Sequence, residues 1–184
     1  MAHIHLPGGL PGIRSLAAYR PQTGKPLYQL AQVLLRGPSG LSTAERELIA
    51  AYVSSLNDCR FCELSHAAAA RQLYGSEANI VDCVIRHEDG PTISPKLQAL
   101  LVIAAKVREN GKAVLPEDIE QARQAGASDS DLHDTVLIAA AFSMFNRYVD
   151  GLGTTTPADP SEYLAMGIRL AEHGYVPPKE KTKP

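Results

Sequence analysis

Apolar residues recur at intervals of three and four along most of the 184-residue chain, and this spacing restricts the fold more than any other feature. No stretch alternates as a half-buried strand would, and no strand–helix–strand pattern occurs. The sequence therefore predicts an all-α fold in a single domain. The periodic segments predict about eight helices, at residues 26–36, 42–56, 59–74, 77–85, 95–109, 116–125, 128–150 and 159–173.

Start signals support these boundaries. Ser42 followed by Glu45 matches a capping box, in which the serine caps the helix and the glutamate reaches back to the serine backbone. Ser128 and Asp131 occupy the same two positions before the helix at 128–150. Because the middle of that helix is almost entirely apolar, we expect it to lie at the centre of the molecule.

The sequence divides into three parts. Residues 1–25 are rich in Gly and Pro, and they are predicted to form an extended N-terminal arm that packs on the body or on a neighbouring subunit. Residues 26–176 carry the helical pattern, and 45% hydrophobic residues are enough for a core of their own. Residues 177–184 are charged and Pro-rich, and are predicted to be a disordered tail.

Charge and hydropathy exclude several function classes. A net charge of −2, with the basic residues scattered, argues against nucleic acid as a partner. No apolar run approaches the roughly 20 residues of a membrane span. The N-terminus lacks the charged and apolar regions of a signal peptide. We therefore expect a cytoplasmic protein without a membrane partner, in which its three cysteines favour redox or metal chemistry over a disulfide scaffold.

Four reactive side chains lie at fixed spacing between Glu47 and His66, with Cys59 and Cys62 in a C-x-x-C pattern. Asp58 is the predicted N-cap of the helix that carries the cysteines. The helix dipole in the first turn stabilises a thiolate, and His66 lies one turn after Cys62, where it can take the thiol proton. Cys62 is therefore the predicted nucleophile, and Cys59 can close a disulfide with it.

Glu47 lies on the preceding predicted helix, among small Ala and Ser side chains that leave room for a neighbouring helix. A carboxylate there could orient His66 or pass protons toward Cys59, provided that the two helices fold back on each other. The third cysteine, Cys83, falls on the apolar side of a short helix and is expected to pack in the core.

The spacing of Glu47, Cys59, Cys62 and His66 resembles the alkylhydroperoxidase AhpD core, within the carboxymuconolactone decarboxylase superfamily. The surrounding sequence LSTAERELIAAYVSSLNDCRFC and the later segment FSMFNRYVDGLG resemble its peroxidase-related subgroup. The opening LPGI does so as well. The resemblance extends from residue 6 to about residue 156.

This resemblance implies an all-α homo-oligomer (a dimer, trimer or hexamer) that reduces a hydroperoxide substrate without haem, flavin or metal. It implies that Cys62 is the peroxidatic thiol, that Cys59 resolves it, and that His66 and Glu47 relay protons. A reducing thiol partner is also implied, which in some relatives bears a lipoyl group. One departure is Phe61, since the best-known relative has a second histidine at that position. The proton relay is therefore expected to be shorter here.

Two other functions stay open at this point. A zinc-binding structural module would use Cys59, Cys62 and His66, with Glu47 or His87 as the fourth ligand. A redox sensor would form the same disulfide without rapid turnover. Lactone decarboxylation is disfavoured because the lactone decarboxylases of the superfamily lack the cysteine pair.

Overall fold

Nine α-helices form the part of the chain that a computed structural model describes, which is residues 2–86, 88 and 93–176. The described residues contain no strand, which confirms the all-α prediction. The helices are α1 (Ile13–Tyr19), α2 (Pro21–Arg36), α3 (Thr43–Leu56), α4 (Arg60–Tyr74), α5 (Asn79–Arg86), α6 (Pro95–Glu109), α7 (Pro116–Gln124), α8 (Asp129–Gly151) and α9 (Pro160–His173).

Both predicted capping boxes are present. Ser42 Oγ accepts a hydrogen bond from the Glu45 backbone at 3.1 Å, and the Glu45 carboxylate accepts one from the Ser42 backbone at 2.8 Å. Ser128 and Asp131 form the same reciprocal pair at the start of α8. These caps satisfy backbone N–H groups that would otherwise lack partners, so the helices begin where the sequence predicts.

The prediction that residues 1–25 form an extended arm is wrong, because α1 and the start of α2 lie within them. Pro21 is accepted in the first turn of α2, where no backbone N–H is needed. Gly12 precedes α1 with φ 52°, and a side chain there would collide with the Phe61 ring. The arm therefore turns into a helix that packs on the body. The predicted tail at 177–184 lies outside the described residues.

The core lies between α3, α4, α6 and α8. α8 crosses its centre, as its apolar middle predicts, and Ile138 and Phe142 on α8 are almost completely buried. α3 contributes the fully buried Leu48 and Ile49. A fully buried side chain of this size stabilises the fold by roughly 1.5–3 kcal/mol. α4 packs between α3 and α9, so the two predicted helices of the motif do fold back on each other.

Cys83 lies at the edge of this core and not within it, so its predicted position is corrected. It lies on α5 and is half-buried, whereas the sequence predicted a core position. The buried residues of α5 are Ile80 and Val81.

Within the described ranges, no helix combines the length and apolar character that crossing a membrane requires.

Candidate functional site

The turn between α3 and α4 sets the position of the first cysteine. Asp58 has a left-handed backbone, with φ 56°, and the Cys59 N–H donates to Ser54 O at 3.0 Å. The N-cap of α4 is therefore Cys59, one residue later than the Asp58 predicted from sequence. A side chain held in a left-handed turn does not reach the N–H groups of the next turn. Cys62 still lies in the first turn of α4, as predicted.

The buried side-chain amide of Asn146 holds this turn in place through hydrogen bonds. Asn146 on α8 is fully buried, donates to Ser54 Oγ at 3.0 Å and accepts from Asn57 Nδ2 at 2.9 Å. The Arg108 guanidinium donates to Leu56 O at 2.6 Å and so satisfies the C-terminal end of α3. The backbone that carries Cys59 is thus attached to both α6 and α8.

The two predicted cysteines lie together in a small apolar cluster. Cys59 is 0% exposed and Cys62 is 4% exposed, and Leu16 and Val149 pack with them. Both are in the thiol form. A hydrogen bond to Cys62, reinforced by burial, raises the pKa of the Cys59 thiol, which therefore keeps its proton. The two thiols are therefore close enough to influence each other's protonation.

Asp150 is a partner of Cys59 that sequence reasoning missed. Its carboxylate, in the last turn of α8, lies close enough to the Cys59 thiol to contribute to the raised pKa of that thiol. Asp150 is exposed, whereas Cys59 is completely buried. The buried thiol proton therefore has a solvent-facing acceptor next to it. A carboxylate 91 positions away in the sequence gives no local signal of this contact.

His66 and Glu47 form the predicted pair. His66 Nδ1 lies 2.7 Å from Glu47 Oε2, and the Glu47 side chain is fully buried. Burial by itself raises the pKa of Glu47, but the neighbouring His66, Arg36 and Tyr175 outweigh it and hold the pKa below its usual value. Glu47 is therefore a carboxylate, which can only accept. His66 Nδ1 then carries the hydrogen in this contact.

Two further side chains complete this buried cluster. Arg36 Nη2 donates to Glu47 Oε1 at 2.6 Å, and the Tyr175 hydroxyl donates to the same oxygen at 2.6 Å. Sequence reasoning placed Arg36 at a helix end and assigned no role to Tyr175. Tyr175 lies 128 residues from Glu47, so only the packing of α9 against α4 brings it into the site.

Cys62 and His66, the predicted nucleophile and the predicted base, line the same cavity of about 50 Å³. Its other walls are apolar and come from α1, α2, α4 and α8, with Tyr175 closing one side. Phe142 meets the His66 ring edge-on at 4.5 Å, and Phe61 forms part of the wall. A larger groove of about 270 Å³, between α4 and α9, contains neither cysteine nor His66.

The described residues do not form a metal site. Among them, no group of three or more His, Cys, Asp and Glu side chains is arranged to hold an ion. Since Glu47 Oε2 already accepts from His66, the two would have to separate to act as zinc ligands. The version of the zinc site that uses His87 lies outside the described residues.

The family model described as the carboxymuconolactone decarboxylase family matches residues 21–106. A peroxidase-related protein from Silicibacter sp. TM1040, called uncharacterized, is 28% identical with a TM-score of 0.74, over 87% of this chain and 82% of that chain. A second such protein, from Ralstonia eutropha JMP134 and called alkylhydroperoxidase AhpD core, is 28% identical with a TM-score of 0.74, over 93% and 84%.

A third solved structure shares the fold alone. It is a protein of unknown function from Agrobacterium tumefaciens, 20% identical with a TM-score of 0.69, over 86% of this chain and 100% of that chain. No curated protein matches the chain.

Proposed function

The chain is an AhpD-like member of the carboxymuconolactone decarboxylase superfamily, and we propose that it is a thiol-dependent peroxidase that reduces hydroperoxides through Cys59 and Cys62. The AhpD-like fold itself suggests a peroxidase-related, antioxidant function. The more specific proposal adds the substrate class and the residues that carry the reaction.

One observation carries the proposal. Cys62 shares a small apolar cavity with His66, and each of the two has a neighbouring side chain that supports its proposed role. Cys59 lies beside Cys62 in the same buried cluster, and the Glu47 carboxylate accepts from His66 Nδ1 at 2.7 Å. A nucleophile, a base and a group that orients the base are the parts that thiol activation requires.

The first step oxidises Cys62. His66 Nε2 takes the proton of Cys62, and the thiolate attacks the terminal oxygen of the hydroperoxide. A sulfur–oxygen bond forms and the oxygen–oxygen bond breaks. The departing alkoxide takes the proton from His66 and leaves as an alcohol. Cys62 becomes a sulfenic acid while the hydroperoxide gains two electrons. Glu47 stabilises the transient imidazolium in this step.

The second step closes the disulfide. The sulfur of Cys59 attacks the oxidised sulfur of Cys62, so a sulfur–sulfur bond forms and hydroxide leaves. Asp150 accepts the proton of Cys59 and returns it, directly or through solvent, to the hydroxide as water. A thiolate is the attacking species, and the Cys59 thiol otherwise retains its proton, so this step needs an adjacent base.

A dithiol partner then restores both thiols by disulfide exchange. The form we propose is a reduced dithiol such as a lipoyl group on another protein, in a reducing cytoplasmic compartment. A homo-oligomeric assembly is part of the same proposal. No haem, flavin or metal enters either step.

Turnover assays on cysteine variants test this function. The reduced protein is mixed with tert-butyl hydroperoxide and dithiothreitol, and consumption of the hydroperoxide is followed. Cys62→Ser is expected to abolish consumption, and Cys59→Ser to stop catalysis after a single equivalent. Cys83→Ser is the matched control and should keep wild-type rates, since Cys83 lies outside the site. Full activity in Cys62→Ser would refute the proposal.

Burial favours one second candidate, a redox sensor. Cys59 is 0% exposed and Cys62 4% exposed, so a reductant has little direct access to the disulfide. A sensor would be oxidised at the same rate as an enzyme but re-reduced slowly. Comparing single-turnover oxidation with the steady-state rate at saturating dithiothreitol separates the two. A steady-state rate more than about a thousandfold below that of oxidation would favour the sensor.

A further inference from the structure

Tyr175 enters the site from outside the predicted motif. It follows α9, is 9% exposed, and its backbone N–H donates to Gln32 Oε1 at 2.7 Å. Gly174 turns the chain with φ 67°, and a side chain there would meet Gln32 Oε1 at 2.5 Å. A glycine and a side-chain amide on α2 thus hold the tyrosine over the His66 ring, at 6.0 Å between centroids with the rings nearly parallel.

The two oxygens of the Glu47 carboxylate have different partners, and the hydroxyl of Tyr175 is one of them. Glu47 Oε1 accepts from Tyr175 and Arg36, both at 2.6 Å, while Oε2 faces His66 Nδ1 at 2.7 Å. Burial raises the pKa of Tyr175 well above that of an ordinary tyrosine, and the charge of Glu47 adds to the effect. The phenol therefore stays protonated and donates to Glu47 Oε1, and its oxygen also lies 3.2 Å from His66 Nδ1.

This arrangement bears on the charge of His66. A buried carboxylate with no other donor favours the imidazolium form of a neighbouring histidine. An imidazolium cannot take a proton from Cys62. Each additional hydrogen-bond donor to Glu47 partly neutralises the carboxylate charge. The carboxylate then stabilises the imidazolium form of His66 less.

We infer that Tyr175 is a positioning residue that acts through Glu47, sharing the carboxylate charge so that His66 remains a neutral base for Cys62. Phe61, which also lines the cavity, has no proton to exchange, so proton transfer at Cys62 depends on His66 and its partners. The inference rests on the proposed function of Cys62 as the nucleophile. Its effect is on the pH dependence of Cys62, and a lost contact alone would not produce that effect.

The titratable groups that face this cluster come from four helices and the segment after α9. They are Arg36 and Tyr28 on α2, Glu47 and Arg46 on α3, Cys62 on α4, Arg169 on α9, and Tyr175 itself. From α8 the site receives Phe142 and Phe145, which carry no charge. Tyr175→Phe therefore removes one donor and leaves every formal charge in place.

The test measures alkylation of Cys62 by iodoacetamide in the full reduced chain from pH 5 to pH 9, read by mass spectrometry of the Cys62 peptide. In Tyr175→Phe the freed carboxylate favours imidazolium, so the acid limb of the rate profile should move to higher pH. At pH 6 the variant should react about threefold more slowly than wild type, and at pH 8.5 the two should agree.

Tyr74→Phe is the matched control, since that hydroxyl is buried without a hydrogen-bond partner among the described residues, and its profile should match wild type. In a Glu47→Gln background, Tyr175→Phe should cause a clearly smaller shift, because the carboxylate is gone and only the 3.2 Å contact of the hydroxyl with His66 Nδ1 remains. Equal loss at every pH, or superimposed profiles, would overturn the inference.

Failure of this inference and failure of the proposed function are distinguishable. A shifted profile without any hydroperoxide turnover would overturn the peroxidase proposal and keep the role of Tyr175. Normal turnover with an unshifted profile would overturn the role of Tyr175 alone. Circular dichroism of Tyr175→Phe should match wild type, because the ring and its stacking on His66 are retained.

Discussion

At the scale of single residues, the contrast between Cys59 and Asp150 separates the two chemical steps. Cys59 is completely buried and holds its proton, while the carboxylate beside it is exposed. Asp150→Asn should leave oxidation of Cys62 unchanged, but slow disulfide closure by roughly a hundredfold, since general bases typically contribute this much or more. Trapping with dimedone should then show sulfenic acid accumulating at Cys62.

Asp129→Asn is the control for this prediction. Asp129 is an exposed carboxylate at the opposite end of α8, where it pairs with Arg123. In the Asp129→Asn variant, the disulfide between Cys59 and Cys62 should close at the wild-type rate. If Asp150→Asn closes the disulfide equally fast, Asp150 is not the base for Cys59.

Glu47 predicts how stability depends on pH. Its folded-state pKa is depressed below 4.5, so the unfolded chain binds a proton at a higher pH than the folded chain does. The stabilisation from the charged carboxylate is therefore fully present above about pH 5 and is lost as the pH falls below 4.5. Urea unfolding from pH 7 to pH 3 should show a steeper loss of stability in wild type than in Glu47→Gln. Parallel curves would contradict a charged, paired Glu47.

The residues of this cluster differ in how far the sequence predicts them. The helical spacing of Cys59, Cys62 and His66 predicts their proximity, and Glu47 was expected to join them provided that two helices fold back on each other. Arg36, Asp150 and Tyr175 reach the site only through packing between helices distant in sequence. A single sequence carries no local signal for such contacts, so these three residues become visible only in the fold.

At the scale of elements, the turn between α3 and α4 positions the first thiol. Asp58 holds a left-handed backbone with φ 56°, which a residue with a Cβ adopts only at a cost. Asp58→Ala should lower the free energy of unfolding by about 1 kcal/mol, because Ala lacks the short polar side chain that eases this conformation. Asp58→Gly is the paired control and should be at least as stable as wild type. Equal midpoints for Ala and Gly in urea would argue against a strained turn.

Helix starts were predictable wherever a side chain satisfies the backbone locally. Ser42 and Ser128 cap α3 and α8 through bonds within four residues, and both starts were predicted. α1 was missed because it is only seven residues long, and its Leu16 is buried by contacts with the cysteine cluster. Asp58 was predicted as a cap because the sequence does not reveal a positive φ.

At the scale of the whole molecule, the fold serves the site by packing α4 between α3 and α9. α3 contributes Glu47, α4 contributes both cysteines and His66, and the chain leaving α9 contributes Tyr175. α8 passes beneath them and ends beside Cys59. The all-α class followed from hydrophobic spacing, but the order of the helices in space did not. That order decides which distant side chains meet Glu47 and Cys59.

In the proposed reaction, a hydroperoxide oxidises Cys62, and Cys59 then forms a disulfide with the oxidised Cys62. The most direct measurement treats the reduced full chain with one equivalent of tert-butyl hydroperoxide and identifies the products by peptide mass spectrometry. We expect one intramolecular disulfide between Cys59 and Cys62, an unmodified Cys83, and complete reversal by dithiothreitol. Oxidation at Cys83 instead, or an unreacted Cys62, would contradict it.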